Sequence, residues 1–270
     1  MILRIFIFVT IFIFHNCQGQ NDMLKNNNHA KITITVVYDN VSYDSTLTSE
    51  WGFGCVIQTQ EDTVLFDTGS SGNVLLDNMA KLNIDPRSIQ SVVISHNHWD
   101  HQGGLKDFLN VNLKVTVFIP NSSPSDMEHE IHLKDAKSVR VDSFTQINET
   151  MFSAGELKEN IPEHSLVLQS PKGLVIITGC AHPGIVRIIE HIKSLFPYEP
   201  IYLAMGGFHL KNESTQNIEE IVKTIQKYGV QRIAPSHCTG EAAIEIFKQR
   251  FGDDFIESGV GRRIIVERGA

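Results

Sequence analysis

The sequence predicts one α/β domain, and three observations lead to that prediction. Short apolar runs rich in β-branched residues recur along the chain after position 30. Amphipathic segments with apolar residues at helical spacing lie between these runs. Polar clusters that contain histidine, aspartate or cysteine follow the ends of several runs, and the loops at strand ends carry the functional residues of α/β sheets.

The N-terminus has the character of a signal peptide. It begins MILRIFIFVTIFIF, with a single arginine before the apolar stretch, and that stretch is short for a membrane span. We expect residues 1–19 to be a signal peptide, residues 20–30 a polar spacer and residues 31–270 the folded domain. The protein is then exported to the periplasm or beyond, with Cys17 a candidate for lipid attachment. A retained membrane anchor is the alternative.

Composition limits the classes of partner. The chain of 270 residues carries a formal net charge of −8 and has no basic run, which argues against a nucleic-acid or anionic-membrane surface. We expect a small-molecule substrate, and the sequence does not specify an oligomeric state.

The cysteines are too far apart for a disulfide framework. Cys180 and Cys238 each have a histidine within two residues, which favours a metal site or another functional site instead.

The predicted strands are short and distributed over the whole domain. In chain order they are KITITVVYD, GCVIQT, TVLFDTG, SVVISHNH, KVTVFIP, SVRVD, SLVLQS, GLVIITGC, IYLAMGG, RIAPSHC and RRIIVE. Strands dominate the first half of the chain.

The predicted helices follow from apolar residues three and four positions apart. Two segments show this spacing clearly, one with Ile185, Ile188, Ile189, Ile192 and Leu195, the other with Ile218, Ile221, Val222 and Ile225. The segments VLLDNMAKL and EAAIEIFKQ are predicted to be helical as well.

The densest polar cluster lies in VISHNHWDHQGGL, residues 93–105. His96 and His98 are two residues apart, so both rings project to one side of an extended segment and can reach one ion. Asp100 and His101 follow at an offset suited to a second ion. The glycines after them are expected to let the backbone bend beneath the ligands.

Imidazole together with carboxylate suits zinc, iron or manganese better than calcium or magnesium. Asn97 stands between the first two histidines, where related di-iron sites often have a carboxylate. The sequence therefore favours two zinc ions and hydrolysis over redox chemistry, with iron or manganese as the other candidate metals.

The segment SHNHWDHQGG resembles the H-x-H-x-D-H motif of the metallo-β-lactamase superfamily. LFDTG, ITGCAHPGI, MGGFHL and PSHCTG are similar, in that order, to the subgroup of dihydropterin–ribofuranosylaminobenzene phosphate synthase. The resemblance covers the chain from about residue 32 to its end. It implies an αββα sandwich of two mainly antiparallel or mixed sheets with outer helices and a metal site at one edge.

The resemblance also assigns roles to individual residues. It implies that His96 and His98 bind a first metal and that Asp100, His101 and His237 bind a second. Asp67 matches the early aspartate that orients the ligand loop by hydrogen bonding.

Three further positions are less directly assigned. Cys180 stands where most members have a bridging aspartate, so it is either a thiolate ligand or a small buried residue. His182 is our choice for the third ligand of the first metal because it follows the same strand end, with His164 as the alternative. His209 is expected to contact the substrate or a metal.

LFDTGSSGNV also looks like the active-site loop of an aspartic protease. That chemistry needs two carboxylates that share a proton, and the chain has no second Asp-Thr-Gly or Asp-Ser-Gly. This interpretation is therefore rejected.

These observations predict a metal-dependent hydrolase in which hydroxide on the metals attacks an ester, lactone or phosphodiester. Asp100 would accept a hydrogen bond from the nucleophile, and His209 would stabilise charge that develops on the substrate. One alternative is a pterin-pathway synthase-like enzyme that acts on a phosphorylated intermediate. A non-catalytic metal- or ligand-binding protein and an iron redox enzyme are the others.

Overall fold

The computed structural model describes residues 31–267. The expected signal peptide, the spacer and Cys17 lie outside the described residues. Between residues 31 and 267, every helix is too short or too polar to cross a membrane.

Strands form two mixed sheets. The strands are β1 (Ile32–Asp39), β2 (Phe53–Gln58), β3 (Thr63–Phe66), β4 (Ser91–Val93), β5 (Thr116–Pro120), β6 (Lys137–Val141), β7 (Thr145–Gln146), β8 (Met151–Ser153), β9 (Leu166–Ser170), β10 (Gly173–Thr178), β11 (Ile201–Gly207), β12 (Arg232–Ser236) and β13 (Arg263–Val266). The first sheet has the order β13-β1-β2-β3-β4-β5-β6, and the second has the order β12-β11-β10-β9-β8-β7.

Helices cover the outer faces of both sheets. The α-helices are α1 (Gly72–Lys81), α2 (Trp99–Gln102), α3 (Leu105–Val111), α4 (Ser125–His132), α5 (Ile185–Leu195), α6 (Thr215–Lys227) and α7 (Glu241–Phe251). Short 3₁₀ turns occur at Pro86–Ser88, His237–Thr239 and Gly252–Asp254.

Successive side chains along a strand point alternately into two apolar layers. In β10, Val175 and Ile177 face the core between the sheets, whereas Leu174 and Ile176 face the layer formed with α5, α6 and α7. Because both faces of this strand are covered, its sequence is apolar throughout rather than alternating. A third layer packs α1, α3 and α4 on the first sheet. The architecture is the αββα sandwich that the resemblance implied.

Parallel pairing brings the polar strand ends together. β3 pairs in parallel with β4 in the first sheet, and β10, β11 and β12 are parallel neighbours in the second. The carboxyl ends of parallel strands lie at the same edge of a sheet. The loops after these five strands therefore meet at one end of the sandwich.

Some elements differ from the sequence prediction. β4 ends at Val93, so the histidine segment predicted as strand is a loop that leads into α2. α2 has four residues and α4 buries only Met127 and Ile131. Elements this short show too few turns for helical periodicity to be recognised. The four helices that were predicted correspond to α1, α5, α6 and α7.

Candidate metal centre

Three histidines form the first donor set, which we call the open set: His96, His98 and His182. Nδ1 of His98 lies 3.0 Å from Nε2 of His96 and 3.2 Å from Nε2 of His182. Ligand nitrogens about 2.0–2.1 Å from one zinc ion in a tetrahedral arrangement would be about 3.3 Å apart. His96 is buried, whereas His98 and His182 are partly exposed.

Four buried residues form the second donor set, which we call the closed set: Asp100, His101, Cys180 and His237. Nε2 of His101 lies 3.2 Å from Nε2 of His237 and 3.3 Å from Sγ of Cys180. The Oδ2 atom of Asp100 lies 3.4 Å from Nε2 of His237. All seven residues named from the sequence as candidate ligands are thus brought together. Their binding of metal remains a prediction.

Hydrogen bonds behind the rings fix which nitrogens face the centre. Oδ2 of Asp67 accepts hydrogen bonds from Nδ1 of His101 and from Oγ of Ser95, both at 2.7 Å. Because the Ser95 hydroxyl donates to Asp67, it can accept at 2.9 Å from Nδ1 of His96. Nδ1 of both rings therefore carries the proton, and their Nε2 lone pairs face the donor sets.

His237 is oriented in the same way by Asn40. The side-chain oxygen of Asn40 accepts a hydrogen bond from Nδ1 of His237 at 2.6 Å. Nε2 of His237 therefore also presents a lone pair, 3.2 Å from that of His101. Two lone pairs at this separation repel each other unless a cation lies between them, so the donor set fits a transition-metal ion.

The loop that carries Cys180 and His182 is held by Glu163, which the sequence analysis did not single out. Oε1 of Glu163 accepts the backbone N–H groups of Gly179, Cys180 and Ala181 at 2.9–3.1 Å. Its Oε2 accepts that of His182 at 2.9 Å. Side chain–backbone bonds of this kind leave no periodic signal in a sequence. The sequence offered only an acidic residue just before a predicted strand, and its burial becomes visible in the fold.

Backbone conformations at the strand ends are unusual. Ala181, His209 and His237 have φ values of +57°, +52° and +50°, in the left-handed region that non-glycine residues seldom occupy. Asp67 has a φ of +56°. Residues held in this region cluster at functional sites, where surrounding contacts maintain them.

The role expected for the glycines after the histidine cluster is wrong. Gly103 and Gly104 have ordinary helical backbone angles, so the bend there does not require glycine. A Cβ atom at Gly103 would lie 2.4 Å from the carbonyl oxygen of Ser70, and one at Gly104 would lie 2.3 Å from that of Thr68. These glycines instead allow two backbone segments to pack closely.

The structure distinguishes between His182 and His164 as the third histidine of the open set. Nε2 of His164 bonds to the carbonyl oxygen of Ile94 at 2.8 Å, and its Nδ1 bonds to Oγ of Ser153 at 2.7 Å. Both ring nitrogens of His164 are therefore used in these hydrogen bonds, and His164 is not part of the open set. His182 belongs to the open set with His96 and His98. The exposed His209 lies beside it, with its ring centroid 4.4 Å from that of His182.

The electrostatic environment favours metal-binding protonation states. Burial holds the pKa of His96 well below its ordinary value. Burial, with the charges of His209 and His98, lowers the pKa of His182 to about 3. Burial would raise the pKa of Asp100, but the neighbouring His237 and His101 rings together outweigh burial, and the pKa lies below its usual range. The open set thus offers neutral imidazoles at neutral pH and the closed set an ionised carboxylate. The pKa of the buried His101 is raised instead, because the carboxylates of Asp67 and Asp100 outweigh the effect of burial.

Comparison with known proteins settles the family. The model of the metallo-β-lactamase superfamily matches residues 55–130. The crystal structure of Tm1679, described as a metal-dependent hydrolase of the β-lactamase superfamily, is 31% identical in sequence and has a TM-score of 0.72. The match covers 88% of this chain and 100% of that one. The chain belongs to the metallo-β-lactamase superfamily.

A second relative is similar along nearly its whole length. It is the 7,8-dihydropterin-6-methyl-4-(β-D-ribofuranosyl)-aminobenzene-5'-phosphate synthase of Methanocaldococcus jannaschii, 27% identical, with 85% of this chain and 95% of that protein covered. Human tRNase Z, short form, shares the fold at 15% identity, with a TM-score of 0.59 over 87% of this chain and all of that one.

Proposed function

We propose that the protein is a metal-dependent hydrolase that binds two zinc ions and cleaves an ester, lactone or phosphodiester in a small molecule. The observation that carries this proposal is the difference between the two donor sets. The open set offers three histidines with lowered pKa values at a partly exposed position. The buried closed set adjoins it, with the ring centroids of His96 and His101 4.2 Å apart. Three protein ligands and an accessible position are the arrangement typical of catalytic zinc.

When bound, such ions polarise the scissile bond and supply a water molecule that is nucleophilic at neutral pH. The residues of the chain would do the remaining work. Asp100 is ionised and offers a carboxylate oxygen that accepts a hydrogen bond from the attacking water. His209 is exposed beside His182, where its ring can donate a hydrogen bond to the oxygen on which charge develops.

A cavity of about 780 Å³ adjoins the closed set and is a candidate for the substrate. His237, Trp51 and Lys211 are among the residues that line it. The Trp51 ring centroid lies 5.0 Å from that of His237, and Nζ of Lys211 lies 5.2 Å from the Trp51 ring centroid. An aromatic face beside the closed set suits a substrate with a planar ring, and the charged lining of the cavity is mixed, with Lys211 and Lys248 as well as Glu241, Glu245 and Glu257.

The test is a panel of phosphodiesters, lactones and carboxylic esters, assayed with the zinc-loaded protein and after chelation. His98→Ala should abolish turnover, and His209→Ala should lower kcat by about 10²-fold or more. His129→Ala is the matched control because His129 is exposed and lies in neither donor set. Equal activity of the His98→Ala variant, or full activity after the metal is removed, would refute the proposal.

A second candidate is a synthase-like reaction on a phosphorylated intermediate. Similarity to the pterin-pathway synthase over 95% of that protein favours it. Incubation with the precursors of that pathway, followed by mass spectrometry, tests it.

The proposed export of the protein argues for a substrate outside the cytosol. Secretion of an epitope-tagged full chain would test that point.

A further inference from the structure

We propose that a groove between α3 and α4, with Trp99 at one end, binds the alkyl chain of a small amphiphile that has an uncharged polar head. We call it the helix groove. Its volume is about 680 Å³, within the usual range for a small-molecule site. This inference goes beyond the proposed function and depends on neither metal binding nor hydrolysis.

The helix groove begins at the edge of the sandwich where the donor sets lie. β4 and β5 are parallel neighbours, so their carboxyl ends lie at that edge. From there the chain enters α2 and α3 after β4, and α4 after β5. The groove therefore starts beside Trp99, between the metal-site residues His98 and Asp100, and runs away from the donor sets along the two helices.

The floor of the helix groove is apolar. It is formed by four buried side chains that offer no strong hydrogen-bonding group, those of Leu105, Leu109, Met127 and Ile131. The amide group of Gln102 also lies at the groove, but its Nε2 already donates a hydrogen bond to the carbonyl oxygen of Asn97 at 2.9 Å. A hydrocarbon chain fits this floor without leaving a buried polar group unpaired.

Two large apolar side chains stand at the rim with much of their surface in water. Trp99 is 61% exposed and Leu133 is 66% exposed, and both line the helix groove. Single exposed apolar residues are common on protein surfaces. Two of them beside an apolar floor form a patch of the kind that marks a binding site. A chain in the groove would remove part of both side chains from water.

The charged side chains that line the helix groove indicate the kind of head group. They are two lysines and two acids, Lys106, Lys134, Asp126 and Glu130. Their formal charges cancel, so the groove favours neither an anionic nor a cationic head. The ammonium groups donate hydrogen bonds and the carboxylates accept them, which suits the hydroxyl groups of an uncharged head.

The size of the helix groove favours a small molecule over a second copy of the chain. The groove is lined by 13 residues. A stable protein–protein interface engages about 20–30 residues on each side. The groove alone is therefore too small to hold two copies together.

The test follows the fluorescence of Trp99 in the Trp51→Phe variant of the full-length protein. The chain has two tryptophans, so Trp99 is the only one left in this variant. We titrate it with hexyl, heptyl and octyl β-D-glucoside below their micelle concentrations. The emission should shift to the blue as the indole leaves water, and the affinity should rise about fourfold for each added CH₂ group.

Two further substitutions in the same background locate the site. Leu133 and Leu113 are both exposed, at 66% and 47%, so aspartate at either position should leave the fold intact. Leu133 lines the helix groove, whereas Leu113 does not. Leu133→Asp should weaken octyl glucoside binding about tenfold, and Leu113→Asp should leave it unchanged. Equal effects of the two substitutions, or an affinity independent of chain length, would overturn the inference.

Other occupants would give different results. If a second copy of the chain covered the groove, the emission of Trp99 would shift with protein concentration alone. If the groove selected a charged head, octyl sulfate or octyltrimethylammonium would bind far more tightly than octyl glucoside. Either result would overturn the inference. If the glucosides bind as expected and every ester, lactone and phosphodiester is left intact, the hydrolase proposal fails and the inference stands.

Discussion

The side chain of Glu163 accepts the backbone N–H of His182 at 2.9 Å, across 19 positions of the chain. The same carboxylate holds the three residues before His182. One buried acid thus fixes the segment that supplies a histidine to the open set and a cysteine to the closed set. Burial raises the pKa of Glu163, and the backbone N–H groups of His182 and Ala181 oppose that rise.

We predict that Glu163→Gln weakens metal binding without removing a ligand. The amide NH₂ would face the N–H of His182, so the loop must shift and at least one buried donor loses its partner. Loss of a hydrogen bond that positions a metal ligand costs about 10- to 100-fold in metal affinity, and a buried donor left without a partner costs about 1–3 kcal/mol of stability. Competition with a chromophoric chelator measures the affinity.

Glu128→Gln is the control for this prediction. Glu128 forms an ion pair with Arg140 away from both donor sets, so its loss should leave metal affinity unchanged. Unchanged affinity in Glu163→Gln would show that the loop holds its position without the carboxylate.

Asp67 offers a test of the hydrogen-bond network behind the rings. Asp67→Asn replaces an acceptor of the His101 Nδ1–H by a group that can donate, which favours the tautomer of His101 with its proton on Nε2. That proton would point into the closed set, so metal affinity there should fall about 10- to 100-fold. Calorimetric titration with Zn²⁺ measures it. Asp85→Asn, at an exposed turn, should bind as the wild type does, and equal binding by both variants would contradict the network.

Trp51 tests the candidate substrate cavity. Trp51→Ala should leave two metal ions bound but raise KM about tenfold, because the aromatic face beside His237 is lost. Tyr198→Ala is the control, since Tyr198 is 95% exposed and does not line the cavity. A KM that stays constant for every substrate of the panel would exclude this cavity as the binding site.

His164 makes stability depend on pH in a defined direction. Burial lowers the pKa of His164 to about 4, while the unfolded chain protonates histidine near pH 6.5. The unfolded state therefore binds more protons between these values, and stability falls as the pH drops from about 6.5 to about 4. The shift corresponds to at most about 3 kcal/mol.

Denaturant unfolding across this pH range, in the presence of chelator, compares the wild type with His164→Gln. The variant should be less stable at neutral pH but lose less stability on acidification. The histidines of the donor sets are common to both proteins, so the difference isolates His164. Parallel pH profiles would contradict the prediction.

The sequence predicted most where ligand-type residues follow a predicted strand and where apolar residues recur at helical spacing. The histidines after a predicted strand indicated residues that the fold brings together in the two donor sets, and the isoleucine spacing predicted α5. His182 could be preferred over His164 only because a strand end fixed its place. Glu163 and Asn40 act through contacts between distant segments, so nothing near them in the chain signals their partners. The close packing at Gly103 likewise depends on Ser70, which becomes its neighbour only on folding.

The most direct test of the account is element-specific anomalous diffraction from crystals of the zinc-loaded protein. We predict two zinc peaks, one among the imidazole nitrogens of His96, His98 and His182 and one enclosed by Asp100, His101, Cys180 and His237. Crystals with zinc bound elsewhere and with no peak at either donor set would contradict it.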